Sequence, residues 1–247
     1  MSTRGGWDRE TTALGGVLEL AEALEDGAEL PTHQELQRRL NVPERVVTGA
    51  LAEARRAGAV HGGQGLRTTA RRPVLRRHGG RLTGAVRALH LGGFFSDAGP
   101  TATIIVHEVR EGPCPAPAAE RLSVPTGSEV LIRRRTYRTD DGPVQMATSY
   151  VPVALARQCP ALYGPGTGPG GMYARFTEVG HAPVIATEDV RARVPSGNEV
   201  RALEIDGRAP VFVVWRTVFN ETATPLEAVR IVLRADRVRL AYTLEMT

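Results

Sequence analysis

The chain of 247 residues contains no lysine and only two cysteines, and each scarcity excludes a class of site. Cys114 and Cys159 cannot build a disulfide framework or a four-cysteine zinc site, so reduced thiols are the simpler interpretation. The glycine-rich run over 164–171 lacks the Lys and the Ser or Thr of a phosphate-binding P-loop. The six histidines are scattered, with no two spaced three or four residues apart, and we expect neither a metal site nor a cofactor.

Long apolar runs and targeting signals are also missing. No stretch approaches the ~18 apolar residues of a membrane helix. The first ten residues, MSTRGGWDRE, lack the basic-then-apolar pattern of a secretion signal. We therefore expect a cytoplasmic protein with no membrane partner. Its 42% hydrophobic and 23% charged residues are the usual globular mixture, which excludes wholesale disorder.

All 31 basic residues are arginines, and they are unevenly distributed. Residues 1–30 hold two arginines against seven acidic residues, a net charge of −5. Residues 31–80 hold ten arginines against three acidic residues, a net charge of +7, while residues 81–247 carry only +2. A short basic segment beside a near-neutral body indicates either a module that faces phosphates or a solvated basic surface.

Two short amphipathic helices joined by a tight turn lie in this basic segment. Thr32 followed three residues later by Glu35 forms a capping box at the start of the first helix. Residues 41–43 form the turn, and the apolar spacing from Val46 to Ala54 predicts the second helix. Residues 59–69 have the pattern of a small β-hairpin. The segment therefore predicts a helix-turn-helix with a wing.

Strand patterns dominate the rest of the chain. The predicted strands are 101–109, 129–138, 144–151, 184–193, 210–219 and 226–233. The predicted helices are 117–122, 153–158 and 198–203. Together they predict an α+β chain, in which the winged helix-turn-helix is joined to an antiparallel sheet with peripheral helices.

The order of these elements resembles GntR-type bacterial transcription regulators of the HutC branch, which join a winged helix-turn-helix to a UTRA effector domain with the chorismate lyase fold. The motifs that carry the resemblance follow one another in family order. They are Arg133-Arg134-Arg135, Asp140–Val144, Thr148–Pro152, Glu188 with Arg191-Ala192-Arg193, Arg216-Thr217-Val218, Pro225-Leu226-Glu227 and Ala235-Asp236-Arg237 with Tyr242. The resemblance implies a winged helix over residues 1–72, a linker over 73–83 and an effector domain over 84–247.

The N-terminal match is less close than the C-terminal one. Leu30-Pro31-Thr32 lies where the family has Leu-Pro-Ser, but Gln34, Glu44 and Thr48 replace residues that face phosphates and base edges in the family. The helices are thus retained while the usual reading side chains are replaced. The residues that we expect to contact DNA are Thr32, Arg45, Thr48, Gln64 and Arg67.

The resemblance also implies an effector pocket in the C-terminal domain. A strand arginine, a polar pair and a loop hold the effector in the family, and these roles fall on Phe95, Ser96, Arg135, Ser149 and Tyr150. Tyr137 replaces a second arginine of the members that bind sugar phosphates, which favours a carboxylate over a phosphate.

Glu188 and Glu227 are acidic residues within apolar strands. Each can bind hydroxyl groups of an effector or neutralise a strand arginine such as Arg133 or Arg135, and the sequence leaves both interpretations open.

The sequence thus predicts a transcription regulator that responds to a small polar or anionic effector and binds duplex DNA as a homodimer. The alternative is a former regulator that has lost DNA reading and works as an enzyme of the lyase or cyclase type. In that case Arg135 would hold the anion, and Glu188 or Glu227 would act as general acid or base.

Overall fold

The fold is known from a computed structural model. The residues that it describes are 4–62, 66–71, 75–78 and 102–242. Gln64, Phe95 and Ser96, which were predicted from the sequence as site residues, lie outside them. The combination of helices and an antiparallel sheet confirms the predicted α+β class. None of the helices in the described segments is long and apolar enough to cross a membrane.

The N-terminal part is a small helical unit with a two-stranded wing. Its elements are α1 (Arg4–Ala23), α2 (His33–Leu40), α3 (Glu44–Arg56), β1 (Val60–His61) and β2 (Thr69–Ala70). The two wing strands pair antiparallel. Val17 of α1, Leu36 of α2 and Val47 and Leu51 of α3 form a common core. The helix-turn-helix with a wing is therefore present as predicted.

Local sequence explains where α2 begins and ends. The Thr32 hydroxyl accepts a hydrogen bond from the Glu35 amide, and the Glu35 carboxylate accepts one from the Thr32 amide at 2.8 Å. This reciprocal pair satisfies two of the backbone donors that a helix start leaves free. Asn41 closes the helix in the left-handed conformation, with φ of 51°, which Asn tolerates better than most residues.

A six-stranded antiparallel sheet forms the C-terminal part. Its strands are β4 (Thr103–Pro113), β5 (Glu129–Thr139), β6 (Gly142–Pro152), β7 (Pro183–Arg193), β8 (Val211–Asn220) and β9 (Pro225–Arg234). They lie in the order β4-β5-β6-β9-β8-β7. All six occur close to the predicted positions, because alternation of side chains on a half-buried sheet leaves a clear period of two.

Helices pack on both faces of this sheet. They are α4 (Ala116–Leu122), α5 (Val153–Ala156), α6 (Gly171–Glu178) and α7 (Gly197–Leu203), with a 3₁₀ turn (Pro160–Tyr163) between α5 and α6. The helices α4 and α7 pack on one face, over Val130 and Val213 respectively. On the other face α5, the 3₁₀ turn and α6 pack over the end that carries Leu131. The rest of that second face, which we call the polar face, carries polar side chains among apolar residues such as Val214 and Ile231.

The predicted linker over 73–83 contains a strand. β3 (Leu75–His78) pairs in parallel with β10 (Val238–Ala241), which follows β9 near the end of the chain. A basic run bounded by proline and glycine indicates a loop from sequence alone. Its strand forms because the backbone of β10 supplies hydrogen-bond partners from a distant part of the chain.

Glu199 provides a test of how α7 is held on the sheet. This carboxylate is 5% exposed, and it binds Arg193 through both oxygens at 2.7 Å, Arg230 at 2.8 Å and the Ser196 amide at 2.8 Å. Burial alone would raise the pKa of Glu199, but these bonds outweigh burial and hold the pKa well below its ordinary 4.5.

Glu199→Gln should lower the free energy of unfolding by about 2 kcal/mol at pH 7, because two partly buried arginines lose their anion. Since the folded pKa lies below the unfolded one, the stabilisation is complete above pH 4.5 and is lost as the pH falls further. Urea unfolding at pH 7 and pH 4 measures both effects. Glu178→Gln, at an exposed ion pair, is the matched control and should change stability by less than about 1 kcal/mol. Equal losses in the two variants would contradict the assignment.

Candidate functional site

A row of side chains, four of its five members polar, crosses the polar face of the sheet. Strand register places Arg133, Ser149, Val229, Arg216 and Glu188 directly beside one another on five consecutive strands. All five point to the same face, because residues paired across a sheet share a face. The strands therefore bring together residues that lie far apart in the sequence.

Arg135 lies one pleat away from this row and differs from the other arginines of the face. It donates a hydrogen bond to the Ser149 hydroxyl, and its guanidinium carbon is 5.9 Å from the centre of the Tyr137 ring. No carboxylate among the described residues lies within 4.0 Å of it. The side chain is partly buried among mostly apolar residues. Its guanidinium has more N–H donors than the bond to Ser149 uses, so it can still donate to an anion.

Arg133 is held by backbone rather than by an anion. It is 1% exposed and donates to the carbonyl of Leu162, to that of Gly164 at 2.9 Å and to that of Pro165 at 3.5 Å. Burial and the nearby charge of Arg135 lower its pKa to about 10. The predicted alternative, an ion pair of Arg133 with Glu188 or Glu227, is therefore not what the structure contains.

Glu188 is paired with an arginine that the sequence had not singled out as its partner. Arg216 donates from Nε to Glu188 Oε1 at 2.7 Å, and its Nη2 binds the same oxygen. Both side chains are largely buried, at 7% exposed for Arg216 and 14% for Glu188. The Tyr242 hydroxyl donates to the other carboxylate oxygen, Glu188 Oε2, at 2.9 Å. Glu188 thus neutralises a strand arginine, as one of its two interpretations required, and it also carries a hydroxyl contact.

Glu227 is held by a tyrosine. The Tyr173 hydroxyl of α6 donates to Glu227 Oε2 at 3.0 Å, and Glu227 is 3% exposed. Burial, followed by the negative charge of Glu227, raises the pKa of Tyr173, so this hydroxyl stays protonated and acts as a donor. Among the described residues, this bond to Oε2 is the side-chain hydrogen bond found for Glu227.

Not all of the predicted effector residues come together. Arg135, Tyr137, Ser149, Glu188 and Glu227 share the polar face. Tyr150 points to the opposite face, where it stacks on Trp215 with ring centres 6.2 Å apart. Adjacent residues of a strand point to opposite faces, so Ser149 and Tyr150 cannot both line one pocket.

Sequence reasoning missed Tyr173, Arg216 and Tyr242 as parts of this site. Arg216 and Tyr242 belong to the quoted motifs, but no role was given to them. Tyr173 lies in the first turn of α6, a helix that was not predicted, although Met172 and Phe176 four residues apart carry a helical signal.

The N-terminal unit carries a second candidate site. Thr32, Thr48 and Arg67, three of the residues predicted to contact DNA, line one concave surface. Arg55 lines the same surface and donates to the Thr68 hydroxyl at 3.1 Å. Arg55 follows Thr48 by seven residues on α3, so the helical period could have revealed it.

The exposed side of α3 offers little for reading bases. Its first two turns expose Glu44, Arg45, Thr48 and Gly49. Only Arg45 among them has a long cationic side chain, while Glu44 repels phosphate. Arg67 is 77% exposed and binds Glu29, so part of its charge is already compensated.

Comparisons with known proteins give a consistent picture. A family model described as the UTRA domain matches residues 97–239. The HTH-type transcriptional regulator Rv0792c of Mycobacterium tuberculosis is 28% identical over 229 residues, which cover 92% of this chain and 82% of that protein. The HTH-type transcriptional regulator GgaR of Escherichia coli is 26% identical over 114 residues, 46% of this chain and 44% of that protein.

Crystal structures extend the likeness to both parts of the chain. A GntR-family transcriptional regulator superimposes with a TM-score of 0.65 at 23% identity, covering 97% of this chain and 98% of that chain. PhnF from Mycobacterium smegmatis superimposes with a TM-score of 0.57 at 22% identity, covering 95% and 100%. These likenesses concern the fold.

Proposed function

This chain belongs to the UTRA-domain transcription regulators of the GntR family, as its sequence predicts, and from that premise we propose a separate function for each of its two sites. The winged helix binds duplex DNA, and the polar face of the sheet binds a small anionic effector. The effector shifts the population of DNA-competent states, because it binds them and the incompetent states with different affinity.

One observation carries the effector site. Arg135 is the arginine of the polar face whose described partners include neither a carboxylate nor a backbone carbonyl, whereas Arg133 is held by carbonyls and Arg216 by Glu188. A guanidinium in this position is suited to a bidentate anion.

Charge and hydrogen bonds narrow the class of effector. The face holds three arginines, at 133, 135 and 216, against Glu188 and Glu227, a net charge of +1. This balance favours a monoanion such as a carboxylate over a phosphate dianion. The acceptor oxygens of Glu188 and Glu227 favour hydroxyl or amino groups on the remainder of the effector.

The DNA-binding part is proposed to act as a dimer. One winged helix with small reading side chains makes few base contacts, and two-fold symmetry doubles them on a palindromic operator. Sedimentation velocity of the full-length protein checks this state.

We expect the full-length protein to bind duplex DNA with an affinity that falls linearly with salt on logarithmic axes. Glu44→Arg together with Thr48→Arg should steepen this slope by about 2, because each new arginine faces a phosphate. Fluorescence anisotropy on a duplex from the upstream region of the gene, at several salt concentrations, measures the slope.

The matched control adds the same charge away from α3. Glu120 and Gln158 are exposed residues of the C-terminal part, and changing both to arginine adds three charges, as the test pair does. This control should leave the slope nearly unchanged. If the wild type does not bind at low salt, or the two pairs act alike, α3 does not face DNA in the proposed way.

A further inference from the structure

The last described stretch of the chain contacts three parts of the protein in turn: the effector site, strand β3 of the predicted linker and the helix-turn-helix. We call residues 234–242, which leave the end of β9 and include β10, the C-terminal strap. Its contacts lie at three separate points along its length. Each contact has a different physical basis.

The far end of the strap reaches the effector site. The Tyr242 hydroxyl donates to Glu188 Oε2, and the other oxygen of Glu188 binds Arg216 of the polar row. Glu188 Oε1 already accepts two bonds from Arg216, so an effector hydroxyl that bound Glu188 would use Oε2 and meet the Tyr242 hydroxyl there. Tyr242 is 50% exposed, so it can leave this contact at little cost in burial.

The middle of the strap packs on the sheet and pairs with strand β3 of the predicted linker. Val238 is 1% exposed and packs with Val214, Val229 and Ile231, which lie on the polar face. The backbone of β10 pairs with β3 from Val238–Leu75 to Ala241–His78. β3 follows the wing strand β2 closely in the sequence, so the β3–β10 pairing joins the strap to the segment that leads out of the N-terminal unit.

The near end of the strap presses on the end of α3. Gly58, just after this helix, has φ of 76°, and a Cβ built there would overlap the Asp236 side chain and lie 3.0 Å from its Cα. Asp236 cannot easily yield, because Arg234 binds both of its oxygens, at 3.0 and 2.7 Å, and both side chains are buried. In addition, Arg208 Nη1 lies 3.7 Å from Oε1 of Glu53 on α3.

We propose that the C-terminal strap couples the effector site to the reading helix, with Tyr242 as the contact that an effector displaces and the Gly58–Asp236 contact as the one that moves α3. Its meaning as regulation rests on the proposed function. The mechanical coupling does not, because it is a property of the protein alone. Coupling between two sites is reciprocal, so a change at either end of the strap must be felt at the other.

Amide hydrogen exchange of the full-length protein, without DNA or effector, tests this coupling. Tyr242→Phe removes the hydroxyl that binds Glu188 and keeps the aromatic ring. We expect exchange to rise about fivefold at residues 75–78, 238–241 and 57–59, which corresponds to about 1 kcal/mol for one hydrogen bond. Tyr163→Phe is the matched control, since the Tyr163 hydroxyl also donates to a partly buried carboxylate, that of Glu111, at 2.6 Å. It should leave these three segments unchanged.

The reverse perturbation starts at α3. Gly58→Ala should push Asp236 away and accelerate exchange over 238–241. Gly27→Ala is its control: Gly27 has a similar φ of 78° but no atom within 4 Å of a Cβ, so it carries the backbone strain without the contact. Faster exchange of the strap in Gly58→Ala but not in Gly27→Ala supports the proposal.

The proposal is overturned if Tyr242→Phe accelerates exchange only around Glu188, or if it acts no differently from Tyr163→Phe. Should Gly58→Ala fail to fold, the tyrosine pair decides alone. A protein that binds no DNA, but in which Tyr242→Phe accelerates exchange at all three segments, would contradict the proposed function and still support the coupling through the strap. A protein that binds DNA, but in which Tyr242→Phe accelerates exchange only around Glu188, would contradict the coupling through the strap and leave the proposed function standing.

Discussion

Arg135→Ala should abolish the thermal stabilisation that an anionic effector confers and leave the effector-free protein folded. A ligand at 100 times its dissociation constant stabilises a protein by about 2.7 kcal/mol, and this whole increment should disappear. The effector-free protein should tolerate the change, because Arg135 has Ser149 as its hydrogen-bond partner and no described carboxylate is left unpaired without it.

Thermal melts of wild type and variant, with a panel of carboxylates and phosphates, measure this effect. Arg134→Ala is the matched control, since Arg134 neighbours Arg135 on the strand but points to the opposite face, where it pairs with Glu108 at 3.0 Å. Arg134→Ala should keep the response. A wild type that responds to phosphates but not to carboxylates would contradict the predicted class of effector. A response that survives Arg135→Ala would place the anion elsewhere.

Arg133→Met should behave in the opposite way, although Arg133 lies two residues from Arg135 on the same face. It fills a fully buried position and supplies the hydrogen-bond donors of three carbonyls, those of Leu162, Gly164 and Pro165. Methionine retains much of the volume but none of the donors. We therefore expect a loss of about 3 kcal/mol in the free energy of unfolding, because buried carbonyls without a partner are costly.

Urea unfolding of the two variants side by side measures the contrast. Arg138→Met, at a partly exposed pair with Glu204, controls for the loss of an arginine from the same strand and should cost less than about 1 kcal/mol. If Arg133→Met proves as stable as the wild type, the segment over 162–165 is held by other contacts. If Arg135→Ala proves the less stable variant, the roles of the two arginines are reversed.

The site depends on which arginine already has its hydrogen-bond partners within the protein and which keeps donors for an effector. Sequence alone does not carry this information. Arg133 and Arg135 have the same chemistry, the same face and nearly the same place in the motif. They differ because a turn some 30 residues later brings its carbonyls to one of them. The same holds for Arg216 and Glu188, which meet through the register of β7 and β8.

One difference between prediction and structure, the position of Tyr150, could have been foreseen from the sequence alone. The alternation that correctly predicted the six strands also requires Ser149 and Tyr150 to face opposite sides, so a pocket that contains both is excluded by the period of two. In the structure Tyr150 stacks on Trp215 under α4, away from the polar face.

The sequence by itself determined the order of the elements, the winged helix-turn-helix, the strand positions and the family, because these follow from local signals: the Thr32 cap, the apolar period of α3 and the alternation of the strands. Only the tertiary structure decided that β3 of the predicted linker pairs with β10, that Arg135 is left without a described anion and that Gly58 rests on Asp236. The physical reason is common to all three. Each depends on which distant backbone or side chain fills the space and the hydrogen-bonding capacity of a residue, and no local period of the chain records that.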